Sequence, residues 1–275
     1  MAHASEVFVC PPDHVELSYS INPWMNTSAP FSRELAGEQW ERLIAAYREC
    51  LGSEWVRPCP PQEGLTELCF FGDSVFLCKG KALYGEFRHK ERAAERPYVE
   101  SFLSERGFKG AKVPPGVAFE GAGETVMWRD KILFGFGKRS DEVVRHFLRQ
   151  TFGLDTIDLE METEAFYHLD TALLPLGDDL IAYYPPAFGP IDCATIECFD
   201  CEKLVVNEGD AHAFACNAVV HDRLVFGSSM GQEPGAGELW TELRRRGYEV
   251  REFDMSEFQK LGGGIKCLTL QHYDV

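Results

Sequence analysis

One cysteine of the chain stands where a substrate can approach the backbone closely. Cys267 follows three consecutive glycines in the stretch GGGIKCLTL, whose last residues read as a short apolar strand. Three glycines cost backbone entropy and add no side-chain packing, so they indicate unusual dihedral angles or a partner lying against the backbone. Cys267 is therefore a candidate nucleophile. Because a single cysteine in an apolar strand is more commonly a core residue, it needs catalytic partners elsewhere in the chain.

A histidine and a carboxylate stand two residues apart in the stretch FYHLDT. If this stretch is a strand, the side chains of His168 and Asp170 lie on the same face. A cysteine, a histidine and carboxylates suit attack on a cationic carbon, because carboxylates pair with the N–H groups of a planar guanidinium. Carboxylates are poor partners for a developing oxyanion, which argues against protease-type chemistry.

Two further stretches supply acids and arginines at irregular backbone. FEGAGE contains Glu120 and Glu124 ahead of a predicted hairpin, and Arg139 follows that hairpin. The stretch FRHKERAAER contributes three arginines, which are Arg88, Arg92 and Arg96. Spacing alone does not distinguish site residues from solvated turn carboxylates and surface arginines, and it does not choose among the three arginines.

Strand-like and helix-like segments alternate along the chain, and polar residues recur at the predicted strand starts. A period near 50 in a chain of strands and helices indicates a repeat architecture, here a ring whose first and last segments share one unit. Such a ring brings Asn22, Asp73, Asp170 and Cys267 together around a central cavity. The recurring residues are Asn22, Asp73, Glu124, Asp170, Asn217 and Cys267, at spacings of 51, 51, 46, 47 and 50 residues.

The charge balance narrows the class of partner. The chain of 275 residues has 44 acidic and 27 basic side chains, a formal net charge of −17. This argues against binding to nucleic acid, which needs a basic face, and against anionic membrane surfaces. A small cationic substrate fits the charge, although a solvated acidic surface is the commoner reason for such an imbalance.

The cysteines indicate the cellular compartment and whether the chain binds a metal. No signal peptide or membrane-spanning stretch is evident, so the ten cysteines are interpreted as reduced thiols of a cytoplasmic protein. Cys198 and Cys201 form the one CxxC, and it has no partner motif for zinc. We expect no metal and no cofactor. The sequence leaves the oligomeric state open and allows a homo-oligomer.

Together these segments resemble the guanidino-group-modifying superfamily, whose members share the pentein fold. The matching motifs cover most of the chain, and they are most similar to those of the arginine dihydrolase domain. They are SINPWM, FRHKER, FEGAGE, GFGKRS, FYHLDT, YYPPAF, NEGDAHAFACNAV and GGGIKCLTL. The resemblance implies an α/β fold, a five-bladed propeller of ββαβ repeats, formed by residues 1–275 as a single catalytic domain.

The resemblance also implies roles for the residues that match the family's motifs. Cys267 matches the nucleophile, and His168 matches the general acid and base. Glu120 matches the acid that assists the histidine or holds the guanidinium. For Glu124 and Asn217 the resemblance implies ring-lining or structural roles, outside catalysis.

The same resemblance places the substrate contacts. Asp73 and Asp170 match the carboxylates that hold the guanidinium nitrogens, and Asn22 matches a substrate-contacting asparagine. Arg92 and Arg139 match residues that would hold a substrate carboxylate, although the sequence does not decide between them. The expected partner is thus a small cationic guanidino compound.

One departure from the family pattern bears on the product. The dihydrolases have asparagine where this chain has Asp73, and in them that asparagine goes with a second hydrolysis. Asp73 therefore favours a hydrolase that stops after one C–N cleavage and yields citrulline from arginine or an N-methylated arginine. The alternatives are an amidinotransferase, an arginine dihydrolase and, from another class, a non-catalytic pentein binding protein. The sequence does not say which guanidine is preferred.

Overall fold

The fold is a mixed α/β structure, seen in a computed structural model that describes residues 4–229 and 237–274. Its strands are β1 Ala4–Val9, β2 Val56–Pro58, β3 Val75–Cys78, β4 Lys81–Tyr84, β5 Lys109–Lys112, β6 Thr125–Trp128, β7 Lys131–Phe136, β8 Thr156–Glu160, β9 Leu173–Pro175, β10 Leu180–Tyr183, β11 Glu202–Val205, β12 Val219–His221, β13 Leu224–Ser228, β14 Glu249–Phe253 and β15 Leu270–Tyr273. Its helices are α1 Arg33–Leu51, α2 Glu95–Ser104, α3 Val144–Phe152, α4 Pro190–Glu197, α5 Glu208–His212, α6 Glu238–Arg245 and α7 Ser256–Gln259.

The strands follow one repeated pairing pattern. Strands β6 and β7 form an antiparallel hairpin, α3 follows, and β8 then pairs parallel to β7. The sheets β9–β10–β11 and β12–β13–β14 have the same order of antiparallel and parallel pairs. Strands β3, β4 and β5 repeat it again, inside a six-stranded sheet. The 50-residue period thus corresponds to a strand–strand–helix–strand unit.

The two ends of the described chain complete one such unit. Strand β15, near the C-terminus, pairs antiparallel with β1, and β2 pairs parallel to β1 after helix α1. Strand β15 also pairs parallel with β3, which joins this unit to the next one along the chain. The prediction that the first and last segments share a unit agrees with this pairing.

Helix α1 shows how local sequence and packing cooperate. The Ser32 side chain accepts a hydrogen bond from Leu35 N at the start of the helix, and Gly52, with φ of 96°, ends it. One face of the helix, including Trp40 and Tyr47, is buried, and the Tyr47 ring packs against Phe226 of β13. The Tyr47 hydroxyl lies 3.0 Å from Thr269 Oγ1, so the helix packs beside the segment that carries Cys267. In the described ranges no helix is long and apolar enough to cross a membrane.

Four of the recurring polar residues, Asp73, Glu124, Asp170 and Asn217, lie in the turns before hairpins and not in the strands, whereas Asn22 lies between β1 and helix α1, so its prediction as a strand-start residue was wrong. Asp73 lies in the 3₁₀ turn Phe71–Ser74, which leads into β3, and Asp170 lies in the equivalent turn Leu169–Thr171 before β9. The prediction that His168 and Asp170 share a strand face was therefore wrong. Cys267 also lies in a turn, where Leu268 N donates to Gly264 O at 3.3 Å, and the predicted strand begins only at Leu270.

Candidate active site

The Cys267 sulfur lies beside a carboxylate in a closed interior. Its side chain is 3 % exposed, and Sγ lies 4.0 Å and 3.9 Å from the two carboxylate oxygens of Asp170. Burial, and then the carboxylates of Asp170 and Asp73, raise the pKa of the Cys267 thiol well above its ordinary value. A cation bound beside these carboxylates would offset the part of the shift that they cause.

Two of the three glycines before Cys267, Gly262 and Gly263, are required by close approach. Gly262 has φ of +89°, and a Cβ on it would lie 2.7 Å from both Asn22 Nδ2 and the Tyr167 hydroxyl. Gly263 packs against the ring of Phe70, where a Cβ would lie 2.6 Å from a ring carbon. The turn is therefore held against the site by contacts that no side chain at these positions would allow.

His168 and Glu120 form a fully buried pair. His168 Nε2 lies 2.8 Å from Glu120 Oε2, and Arg139 Nη1 donates to the same oxygen at 3.1 Å. Burial alone would lower the pKa of His168, but the hydrogen bond to Glu120 and the Asp73 carboxylate raise it to about 9. Burial alone would raise the pKa of Glu120, yet Arg139 and His168 lower it to about 2. The pair is thus an imidazolium and a carboxylate at neutral pH.

The imidazole is packed tightly on its other edge. A Cβ on Gly123 would lie 2.6 Å from His168 Nδ1, so the glycine of FEGAGE makes room for the ring. The same nitrogen lies 3.9 Å from Asp73 Oδ1 and has no hydrogen-bond partner within the described residues. His168 therefore has Nε2 towards the Glu120 carboxylate and Nδ1 towards the Asp73 carboxylate.

Asp73 belongs to a buried cluster built on one arginine. Arg92 Nη1 donates to Asp73 Oδ2 at 2.6 Å, and Arg92 makes two bonds of 2.8 Å to the carboxylate of Glu95. Glu67 lies 3.5 Å from Arg92 Nε. Burial, only partly offset by Arg92, raises the pKa of Glu67 to about 7. Each of these contacts joins Arg92 to a group of the protein. The guanidinium of a bound substrate would therefore compete with Arg92 for the carboxylate of Asp73.

Asp170 and Asn22 are the other predicted substrate contacts near Cys267. Burial and the Asp73 carboxylate raise the pKa of Asp170 to about 7, although His168 and Lys266 oppose that shift. Asn22 Nδ2 donates to Leu261 O at 3.0 Å, next to the glycine turn.

The structure brings the eight predicted site residues into one connected region. They are Asn22, Asp73, Arg92, Glu120, Arg139, His168, Asp170 and Cys267, and none is more than 9 % exposed. Sequence reasoning left Glu67, Glu95 and Tyr167 out of the site. The Tyr167 ring lies 4.3 Å from the guanidinium of Arg139, a contact that spacing along the chain does not reveal.

The arrangement combines a sulfur, a proton donor and carboxylates around a small volume. No group of three or more His, Cys, Asp or Glu side chains among residues 4–229 and 237–274 is placed to hold a metal ion. The side chains themselves supply what attack on a cationic carbon needs: a nucleophile, an acid and carboxylates that pair with N–H groups.

Comparisons with known proteins find close relatives, although no family model matches the chain. The chain is 34 % identical to the bifunctional arginine dihydrolase/ornithine cyclodeaminase ArgZ of Synechocystis over 98 % of its own length, but it spans only 38 % of ArgZ. It is also 34 % identical to an N(G),N(G)-dimethylarginine dimethylaminohydrolase of Mycobacterium tuberculosis, over 95 % of this chain and 83 % of that protein. An asparagine-to-serine variant of the N-terminal domain of ArgZ, covalently bound to a reaction intermediate, superposes with a TM-score of 0.90, at 33 % identity and 97 % coverage of both chains.

Proposed function

The chain belongs to the guanidino-group-modifying superfamily, and on that premise we propose that it is a cysteine-dependent hydrolase of guanidino compounds. It cleaves one C–N bond of L-arginine or an N-methylated arginine and yields citrulline with ammonia or an amine. The observation that carries this proposal is the position of the Cys267 sulfur, 3.9 Å from Asp170 Oδ2 and beside the carboxylate cluster that also holds Asp73. A planar cation that pairs with these carboxylates would bring its central carbon next to the sulfur.

The first chemical step would form a covalent adduct. Once the cationic substrate is bound, Cys267 releases its thiol proton to solvent, and the thiolate attacks the guanidinium carbon to form a C–S bond. The bond from that carbon to the departing nitrogen breaks, and the His168 imidazolium gives its proton to the nitrogen, so ammonia or an amine leaves. What remains on the sulfur is an S-alkylthiouronium. General acid catalysis of this kind contributes roughly 10²–10⁴-fold in rate.

The second step would release the product. Water adds to the thiouronium carbon while neutral His168 takes one of its protons. The C–S bond then breaks and returns Cys267 as a thiolate, the second proton of the water passes to solvent, and the ureido product leaves with the water oxygen. The Glu120 carboxylate, 2.8 Å from His168 Nε2, stabilises the imidazolium before the first step and again after the second.

We assign the substrate contacts as follows. Asp73 and Asp170 hold the guanidinium nitrogens, and Asn22 lines the site beside the glycine turn. Arg92 and Arg139 bind the carboxylate of an amino-acid substrate. Since Arg92 holds Asp73 and Arg139 holds Glu120 in this structure, substrate binding would exchange some of these contacts.

The repeated pairing supports two architectural proposals. The five strand–strand–helix–strand units would close into the five-bladed ring of the pentein fold, since β15 pairs with both β1 and β3. Residues 1–275 would then form a single catalytic domain.

All ten cysteines are unpaired, which supports a reducing, cytoplasmic compartment.

A product-resolved assay tests the function. The protein is incubated with arginine, methylated arginines and small guanidines, with glycine present as an amidine acceptor, and the products are separated by mass spectrometry. We expect citrulline and one equivalent of ammonia or amine from arginine or its methylated forms. Ornithine would instead make the protein a dihydrolase, as the identity to ArgZ allows, and a transferred amidine would make it an amidinotransferase. No product from any guanidine would contradict the proposal.

A further inference from the structure

We propose that Asn217 is a further catalytic residue, whose side-chain amide donates an N–H to the Cys267 sulfur; this inference rests on the function proposed above. Asn217 is fully buried in the turn before β12, one unit ahead of Cys267 along the chain. Its Nδ2 lies 3.1 Å from Cys267 Sγ, so Asn217 touches the reacting atom directly.

The backbone fixes which end of the amide faces the sulfur. Gly264 N and Cys267 N both donate to Asn217 Oδ1, at 3.1 Å and 3.2 Å. Two N–H donors require an oxygen at that position, so the NH₂ group must point the other way. There it meets Cys267 Sγ and, at 3.4 Å, the backbone carbonyl of Asp170. The orientation thus follows from the partners.

One side chain therefore joins three of the segments that build the site, which are those of Asn217, Asp170 and Cys267. The oxygen of Asn217 holds the glycine turn that carries Cys267, while its nitrogen holds the turn that carries Asp170. The backbone adds a further link, since Lys266 N donates to Asn217 O at 3.2 Å. The distance between the sulfur and the Asp170 carboxylate is set in part by this residue.

The acids around the sulfur work against a thiolate, and Asn217 works in its favour. Burial first, and then the carboxylates of Asp170 and Asp73, raise the pKa of the Cys267 thiol, while the Gly264 backbone and then the Asn217 side chain lower it. An N–H donated to the sulfur stabilises its charged form. Asn217 therefore offsets part of the cost that Asp170 and Asp73 impose while no cation is bound.

The other charged groups near the sulfur, Lys266 and His168, have partners other than Sγ. Lys266 adjoins Cys267, but its Nζ bonds to Gln271 Oε1 at 2.6 Å. His168 faces Asp73 at 3.9 Å and Glu120 at 2.8 Å. Among the described residues, the hydrogen bond from Asn217 is the side-chain N–H donated to Sγ.

Two substitutions of Asn217 separate a catalytic role from a purely structural one. Asn217→Asp keeps an oxygen for the two backbone N–H groups, loses the N–H donor and adds a charge. Asn217→Ala removes both the acceptor oxygen and the N–H donor. Ser228→Ala is the matched control, because the buried Ser228 hydroxyl lies against Gly264 of the same turn. The pH dependence of kcat, the value of kcat/KM at pH 7 and the pH dependence of Cys267 alkylation by iodoacetamide are measured for all four proteins.

We expect both Asn217 variants to move the acidic limb of kcat, which reports the enzyme with the cation bound, and the alkylation midpoint of the free enzyme upward by roughly one pH unit, with the larger shift in Asn217→Asp. At pH 7 their kcat/KM should fall roughly 10–100-fold, while Ser228→Ala matches the wild type. If Asn217→Asp folds and its acidic limb coincides with that of the wild type, the inference is wrong. Wild-type protein without cysteine-dependent guanidine turnover would overturn the proposed function and this inference together, whereas unshifted Asn217 variants of an active enzyme would overturn this inference alone.

Discussion

Glu120 Oε2 lies 2.8 Å from His168 Nε2, and both side chains are withdrawn from solvent. The carboxylate thereby keeps the imidazole protonated at neutral pH, with the pKa of His168 raised to about 9. In the proposed reaction this proton goes to the departing amine. The pair therefore holds His168 in the protonated form that the first step needs.

Glu120→Gln should move the alkaline limit of activity to lower pH. Without the carboxylate, the pKa of His168 falls back towards its ordinary value of 6.5, so the imidazolium is lost sooner as pH rises. The pH profile of kcat, measured from pH 6 to pH 10, should lose its upper part, and activity at pH 8 should fall at least about tenfold. Glu142→Gln, at a half-exposed ion pair, is the control. An alkaline limb that stays at its wild-type position would refute the assigned role of Glu120.

The free energy of unfolding should also fall as pH rises. The raised pKa of His168 means that the folded protein keeps a proton that the unfolded chain releases above pH 6.5. The stabilisation is complete below pH 6.5 and is lost as pH rises through about 9. Urea unfolding at pH 6 and pH 9 should therefore show a larger loss of unfolding free energy in the wild type than in Glu120→Gln. Equal losses would contradict the pairing.

Arg92→Met should destabilise the fold severely. The substitution leaves Asp73, Glu95 and Glu67 buried without their shared cation, a loss typically of about 3–5 kcal/mol. Arg42→Met is the matched control, since the Arg42–Glu38 pair is exposed and worth about 0–1 kcal/mol. Urea unfolding at pH 7 compares the two. Equal free energies of unfolding for the two variants would show that Arg92 does not hold the cluster together.

Gly262→Ala should damage the site beyond the strain of its backbone. Gly262 and Gly107 have φ of +89° and +87°, but only at Gly262 would a Cβ collide with Asn22 and Tyr167. Gly107→Ala therefore measures the cost of the left-handed conformation alone, about 1 kcal/mol. We expect Gly107→Ala to keep full kcat/KM and Gly262→Ala to lose about 100-fold, because the turn carrying Cys267 must shift. Similar kcat/KM values for the two variants would rule out the close approach at Gly262.

Much of this architecture could be predicted from the sequence because it repeats. The bounds of helix α1 follow from its apolar face and its caps, and the shared unit at the chain ends follows from the 50-residue period. The placement of Asp170 in a turn could not be predicted in this way. That turn is closed by contacts such as Leu169 N to Glu124 Oε2, at 3.3 Å, between residues 45 positions apart.

The site itself was predictable as a set of residues but not as a network. The motifs identify Cys267, His168 and Glu120, yet no spacing reveals that Arg92 holds Asp73. Asn217 recurred in the period and was still placed outside catalysis, since its contact with the sulfur depends on how two turns meet in space.

The central claim is that Cys267 forms a covalent adduct with the guanidine carbon. Wild-type protein is quenched with acid during turnover of arginine, and the peptide containing Cys267 is examined by mass spectrometry. Cys267→Ser and, as a control, Cys198→Ser at an exposed cysteine are treated in the same way. We predict the thiouronium mass on Cys267 in the wild type and in Cys198→Ser, and neither adduct nor turnover in a folded Cys267→Ser protein. Turnover by Cys267→Ser at the wild-type rate would contradict the account.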